Sequence, residues 1–307
     1  MEFKTINFGD ANYPALLREI PNPPKQIYVR GTLPDQQLPL IAIVGTRKAT
    51  VAGLGIAEET AGKLARQGLI IVSGLAMGID TAAHRGALGA GGKTVAVLGN
   101  GVDEIYPAQN ENLAKEILET GGAIVSEYPP GEPSFRGNFI QRNRIISGLS
   151  VAVVIVEAPM RSGALSTAGF AAEQGRSVFI IPGPVTHPNY VGSHGLIRDG
   201  AILATGANNI LEDLGLLQEA RLSPETAKAL TGRQDSGGQA GIRELPFQAE
   251  LTNQESLIFE AIKTAGEPIH VDRITSIAKL EAQVVNVVLT TLILKGLVKE
   301  VDGKYQV

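Results

Sequence analysis

The sequence predicts an α/β protein: a doubly wound, mostly parallel sheet with helices on both faces, followed by a small C-terminal winged-helix unit. Three observations carry this reading. Short runs that are apolar on both faces recur through residues 38–218. Amphipathic segments separate them. The pattern lapses over 219–250 and restarts with a different periodicity over 251–307.

The runs are LIAIVG (40–45), LIIVSG (69–74), TVAVLG (94–99), AIVSE (123–127), VAVVIVEA (151–158), SVFIIPG (177–183) and AILAT (201–205). Strands buried on both faces read as continuous apolar runs, whereas half-exposed strands alternate. Between them, AGLGIAEETAGKLARQG (52–68) and ENLAKEILETGG (111–122) have helical spacing, and Gly121-Gly122 is placed to cap the second. Strand–helix alternation of this kind builds a doubly wound α/β domain. Residues 1–37, with PNPP at 21–24, are expected to pack as an N-terminal extension. Residues 219–250, with GRQDSGGQAG, read as a flexible linker. In 251–307 three helices, LTNQESLIFEAIK, HVDRITSIAKL and EAQVVNVVLTTLILKG, precede a hairpin turning at Asp302-Gly303, the order of a winged helix.

Bulk properties exclude several classes. The formal net charge is −4, so a site for a polyanion has to be a local patch. Cysteine is absent, which removes disulfides and thiolate metal sites and suits a cytoplasmic protein. MEFKTINFGDANYP has no basic-then-apolar leader, so no signal peptide is expected. No apolar run is long enough for membrane insertion.

Open parallel sheets bind ligands at the carboxyl ends of their strands. There the sequence places GTRKAT (45–50), SGLAMGIDTAAHRGAL (73–88), GNGVDEIYPAQN (99–110), SEYPPGEPSFRGNFIQRNR (126–144), EAPMRSGALSTAGFAAEQG (157–175) and PGPVTHPNYVGSHG (182–195). Glycine-freed backbone N–H groups at helix starts make anion pockets, here with Gly45, Thr46, Ser73 and Gly74. Arg47, Arg136, Arg142 and Arg144 add guanidinium forks suited to phosphate. Ser162, Gly163, Ser166 and Thr167 open a helix, where capping and anion binding are both open. Asp80 and His84, four apart on one helix face, suggest a structural Asp–His hydrogen bond or, with a third ligand, a metal. Asp103 and Tyr106-Pro107 read as turn architecture, and Glu157 as a strand-end carboxylate with a catalytic option. No Walker loop, G-x-G-x-x-G, G-x-S-x-G or metal spacing is present, so neither cofactor nor metal is expected.

In order along the chain, VSGLAMGIDTAAHRGAL, AVLGNGVDEIYPAQN, FIQRNRIISGLS, SGALSTA, Pro182-Gly183 and GLIRDGA resemble the DprA/Smf family of bacterial DNA-processing proteins, over roughly residues 40–210. The resemblance implies an extended Rossmann-like domain that binds single-stranded DNA, forms a homodimer, helps load the recombinase RecA in natural transformation, and catalyses nothing. It implies that Gly45, Thr46 and Arg47 bind DNA. It also implies that Phe139 stacks on bases beside Arg136, Arg142, Asn143 and Arg144. Departures are Ile140 where the family has Pro, Ser166 where it has an apolar residue, and a segment 1–37 too short for the helical N-terminal domain of many members. SGALSTAGFAAE also weakly resembles nucleotide phosphoribohydrolases, a reading in which Glu173 is catalytic on a nucleoside monophosphate. A scaffold acting through the winged helix is a third option, since acidic residues outnumber basic ones there. The last strand, with Leu196, Ile197, Ile202, Leu203, Ile210 and Leu211 nearby, is an edge that a dimer or the following helix would cover.

Overall fold

The computed structural model describes residues 2–34, 38–216, 253–265, 269–278, 280, 285, 288–289, 292, 298–301 and 304–306. All seven apolar runs are strands: β3 (Leu40–Val44), β4 (Ile70–Ser73), β5 (Thr94–Val97), β6 (Ala123–Ser126), β7 (Ala152–Ile155), β8 (Ser177–Ile180) and β9 (Ile202–Leu203). They pair in parallel in the order β6-β5-β4-β3-β7-β8-β9. The winding direction therefore reverses between β3 and β7, the switch point of a doubly wound sheet.

The N-terminal segment does more than extend the domain. β1 (Lys4–Asn7) and β2 (Gln26–Gly31) join the sheet antiparallel, β2 pairing with β6, to make nine strands. Tyr13, Leu17, Ile20, Ile27 and Val29 are buried in the same core as β3–β8. The short α1 (Ala15–Arg18) lies between the two strands in sequence.

Alternation along each strand divides the core. Ala42, Val44, Val72, Val97, Val153 and Ile155 face one side, with residues of α5 (Arg136–Gly148) and α6 (Gly163–Glu173). Ile41, Ile43, Ile71, Val154 and Phe179 face the other, with α2 (Val51–Arg66), α3 (Ile79–Gly89) and α8 (Ala207–Asp213). A third cluster packs Ala96, Leu98 and Ile124 against α4 (Glu111–Glu119). The cap foreseen for α4 is a Schellman motif. Gly121 takes φ 78°, its N–H reaches Leu118 O at 3.1 Å, and that of Gly122 reaches Ile117 O at 2.9 Å. At the far edge α7 (Val191–Arg198) leads to β9.

The chain divides into two compact units, residues 1–225 and 226–307. The expected linker, 219–250, lies outside the described residues. In the second unit α9 (Asn253–Ala265), α10 (Val271–Ala278) and the antiparallel pair β10 (Lys299–Val301) and β11 (Lys304–Gln306) are described. Ile258, Ile262, Ile274, Val288 and Leu292 belong to a core of its own. The third helix expected over 281–295 falls largely outside the described residues, as does the turn at Asp302-Gly303.

Candidate nucleic-acid interface

The loops at the switch point enclose an open groove of about 790 Å³. Its walls include Gly45, Thr46 and Arg47 after β3, Asp80 after β4, Tyr106 after β5, Arg136, Phe139, Arg142 and Asn143 on α5, and Arg161, Ser162, Gly163 and Thr167 at the start of α6. Five segments distant in sequence thus converge, three of them bringing an arginine.

Arg142 is the floor. It is 4 % exposed. Its Nη1 donates to Gly74 O at 2.7 Å and to Val97 O, while its Nε is buried without a hydrogen-bond partner. Gly74 is required by contact: a Cβ there would stand 2.7 Å from both Cζ and Nη2 of Arg142. The neighbouring Leu75 is fully buried at φ 56°, a left-handed conformation that costs a non-glycine residue roughly 1–3 kcal/mol. Asp80 holds that turn by accepting from Gly74 N (3.0 Å) and Ala76 N (3.4 Å), and Asn110 Nδ2 donates to Leu75 O at 2.8 Å. Burial pushes the Arg142 pKa down to about 10, while nearby Asp80 opposes the shift, so the guanidinium stays charged at neutral pH. Burial also pushes the Asp80 carboxyl upward, against the pull of Arg142 and the two backbone N–H groups.

Arg47 and Arg136 are exposed on the groove wall. The Arg47 guanidinium lies over the half-buried Phe139 ring, 5.6 Å from its centroid, and the Tyr106 ring lies 5.3 Å from Phe139. Asn143 joins α5 to α6 by donating to Gly163 O (3.2 Å) and Ser166 Oγ (2.8 Å). Ser162 caps α6 by accepting from Ala164 N at 3.2 Å. Capping and groove lining coincide at this helix start, which directs partial positive charge inward.

Two of the expected residues do not reach the groove. Arg144 is 7 % exposed and points away. It is bound bidentately by Glu127, at 2.7 and 2.6 Å, and its Nε donates to Asn22 O. A guanidinium so saturated has no fork left for phosphate. Ser73 is fully buried in β4 and donates to Ile43 O at 2.7 Å. The expected Asp80–His84 hydrogen bond is not made either, because Asp80 serves the loop while His84 Nδ1 pairs with Thr94 Oγ1 at 2.7 Å. Among the described residues no cluster of three or more metal-ligating side chains occurs.

Glu157 is a structural clamp. It is fully buried and accepts from Thr50 N, Thr50 Oγ1, Asn189 Nδ2 and Tyr190 Oη. Burial pushes its pKa up, but the bonds from Thr50, Asn189 and Tyr190 outweigh this and hold it below the usual range. Glu173 is exposed on the last turn of α6, and the groove lining does not include it.

Sequence reasoning passed over Tyr106, taken for turn architecture, and Arg161. Both lie on strand-end loops, and that position was the signal available for them.

Residues 4–215 match the family described as DNA recombination-mediator protein A. The chain belongs to this family. Residues 245–304 match the DprA winged helix domain, which completes the architecture. Protein Smf of Synechocystis is 39 % identical over 97 % of this chain and 78 % of its own length. DNA processing protein DprA of Streptococcus pneumoniae is 42 % identical over 69 % of this chain and 74 % of its own. Its crystal structure superposes with a TM-score of 0.64. DNA processing protein A of Helicobacter pylori, whose structure describes a single-stranded DNA binding mode, superposes at 0.61 with 30 % identity, over 69 % of this chain and 95 % of that one.

Proposed function

We propose that this DprA-family protein binds single-stranded DNA in the switch-point groove and mediates recombination without catalysing a reaction. The observation that carries this is a groove with Arg47, Arg136, Arg142 and Arg161 on its walls, two aromatic rings within it, and a helix start at one side. Guanidinium groups and helix N–H groups take phosphates, and aromatic faces take unstacked bases irrespective of sequence. Asp80, the one carboxylate lining the groove among the described residues, is engaged by backbone N–H groups. Similarity to the Helicobacter pylori protein points to the same ligand. In the resemblance drawn from the sequence, the partner of such a protein is the RecA recombinase and the compartment is the cytoplasm.

The side chains support the non-catalytic reading. The two carboxylates that sequence reading offered are a saturated clamp, Glu157, and an exposed residue off the groove, Glu173. A homodimer is supported by the edge of the sheet. Ile202 and Leu203 on β9 are 39 % and 49 % exposed, while Ile210 and Leu211 are covered by their own chain. These exposed side chains support a dimer face that includes β9.

Titration of labelled single- and double-stranded oligonucleotides at one salt concentration tests the reading. Single strands bind more tightly, because a base in a duplex cannot reach Phe139 or Tyr106. Equal affinity for a blunt duplex would refute the groove assignment.

A further inference from the structure

Cysteine is absent, so the sulfur of this chain lies in three methionines, Met1, Met77 and Met160. Met77 follows β4 and helps to wall a pocket of about 110 Å³ in the groove, beside Tyr106, Pro107, Phe139 and Arg47. Its side chain is 44 % exposed, so solvent reaches it. The backbone on either side is pinned. Ala76 N donates to Asp80 at 3.4 Å and Ile79 N to Thr46 O at 3.3 Å. Gly78 takes φ 83°, and a Cβ there would meet Thr46 O. A shift of the loop would break these contacts, so a change in the chemistry of the Met77 side chain is felt in the pocket. Met160, on the loop before α6, is 70 % exposed, and the lining of pocket and groove does not include it. One thioether thus stands inside the candidate site and another outside it.

We propose that Met77 is a reversible oxidation site, and that conversion of its thioether to the sulfoxide by hydrogen peroxide lowers the affinity of the groove for single-stranded DNA. A sulfur lone pair attacks one peroxide oxygen, the O–O bond breaks, and the other oxygen leaves as water after taking the proton. Sulfur is oxidised by two electrons and peroxide is reduced by two. An apolar, flexible side chain becomes a polar one with a strong acceptor oxygen. The Arg47 guanidinium, which lies over the Phe139 ring at 5.6 Å, carries only donors and is the partner at hand for that oxygen. Held there, the sulfoxide occupies a donor that a phosphate would use and sets a dipole among rings on which a base would stack. In a chain with thiols the peroxide would be drawn to thiolates; here none competes. Methionine sulfoxide reductases, one for each epimer, return the thioether.

The inference rests on single-strand binding in the groove, and the test separates the two. The full-length chain is treated with hydrogen peroxide, the excess is removed with catalase, and peptide mapping by mass spectrometry gives the oxidised fraction at each methionine. Affinity for oligo(dT) is read by fluorescence anisotropy, each protein being compared with its own untreated sample. The expected loss is about tenfold, the scale of one lost base stack, and it follows the oxidised fraction of Met77. Met160→Leu loses as much as the parent chain, Met77→Leu loses less than about twofold, and the two reductases together restore the parent's affinity. The thermal transition of the treated protein is retained. Full oxidation of Met77 with affinity unchanged would overturn the proposal and leave DNA binding in place. So would an equal loss in Met77→Leu, a Met77 that stays unoxidised while Met160 is converted, or a loss that comes only with unfolding. Failure of the untreated chain to bind oligo(dT) would overturn both readings.

Discussion

Arg142 and Arg144 stand two positions apart on α5, both nearly as buried as core leucines, and do opposite things. Arg144 is closed by a two-point carboxylate and by backbone oxygens, so its charge is spent inside the fold. Arg142 is held at one nitrogen by two carbonyls, its Nε is buried without a hydrogen-bond partner, and the residue lines the groove. One helix thus presents a structural face and a candidate binding face. Donors left over after folding, more than residue type or burial, distinguish a candidate ligand site from a strut.

That contrast breaks most visibly at the strut. Arg144→Ala leaves the partly buried Glu127, its side chain 16 % exposed, without its partner, a change that costs roughly 3 kcal/mol. The expected outcome is a melting temperature lower by on the order of 10 °C, with DNA affinity of the remaining folded protein nearly unchanged. Loss of affinity without loss of stability would return Arg144 to the binding face.

A second buried cation-former sharpens the same distinction through pH. His84 lies fully buried, and burial, with Arg142 adding to it, pushes its pKa down to about 3. The unfolded chain takes up a proton near the ordinary value of about 6.5, well before the folded one does. Stability present above pH ~6.5 is therefore lost as pH falls toward 3, by up to about 1.4 kcal/mol per unit. Denaturant midpoints across that range measure it, and in His84→Gln the slope is shallower. An unchanged slope would mean that other groups carry the acid sensitivity.

On the binding face, charge and stacking separate by salt. Phe139→Ala or Tyr106→Ala weakens single-strand binding by roughly 1–3 kcal/mol with the dependence on log[salt] kept. Arg47→Ala weakens it less and lowers that slope by about one. Equal slope changes in the two kinds of variant would show that rings and guanidiniums do not divide the work. The smallest effect is expected from truncation at about residue 220. The first unit has its own core, so it keeps its thermal transition and its affinity changes by less than about threefold. Loss of nearly all binding from a folded fragment would move part of the site to the C-terminal unit.

Much of this architecture was legible locally. The seven parallel strands were, because residues buried on both faces must be apolar without interruption, and the carboxyl-end loops were, because glycine, serine and arginine at strand ends mark backbone approach. The C-terminal unit announced itself by a change of period. Strands β1 and β2 were not legible, since an antiparallel edge with one buried face, set among Pro and Asn, gives only a weak alternation. The roles within Phe-Ile-Gln-Arg-Asn-Arg were not legible either. The two arginines are about 200° apart around the helix, so they must look to different sides, but nothing local says which side is the groove. The partner that closes Arg144 lies 17 residues away, and the carbonyl that seats Arg142 lies 68 residues away. Strand and turn formation depend on neighbours along the chain, and a single sequence carries them. Which buried donors remain unpaired depends on groups brought together from distant segments, and only the tertiary structure decides that.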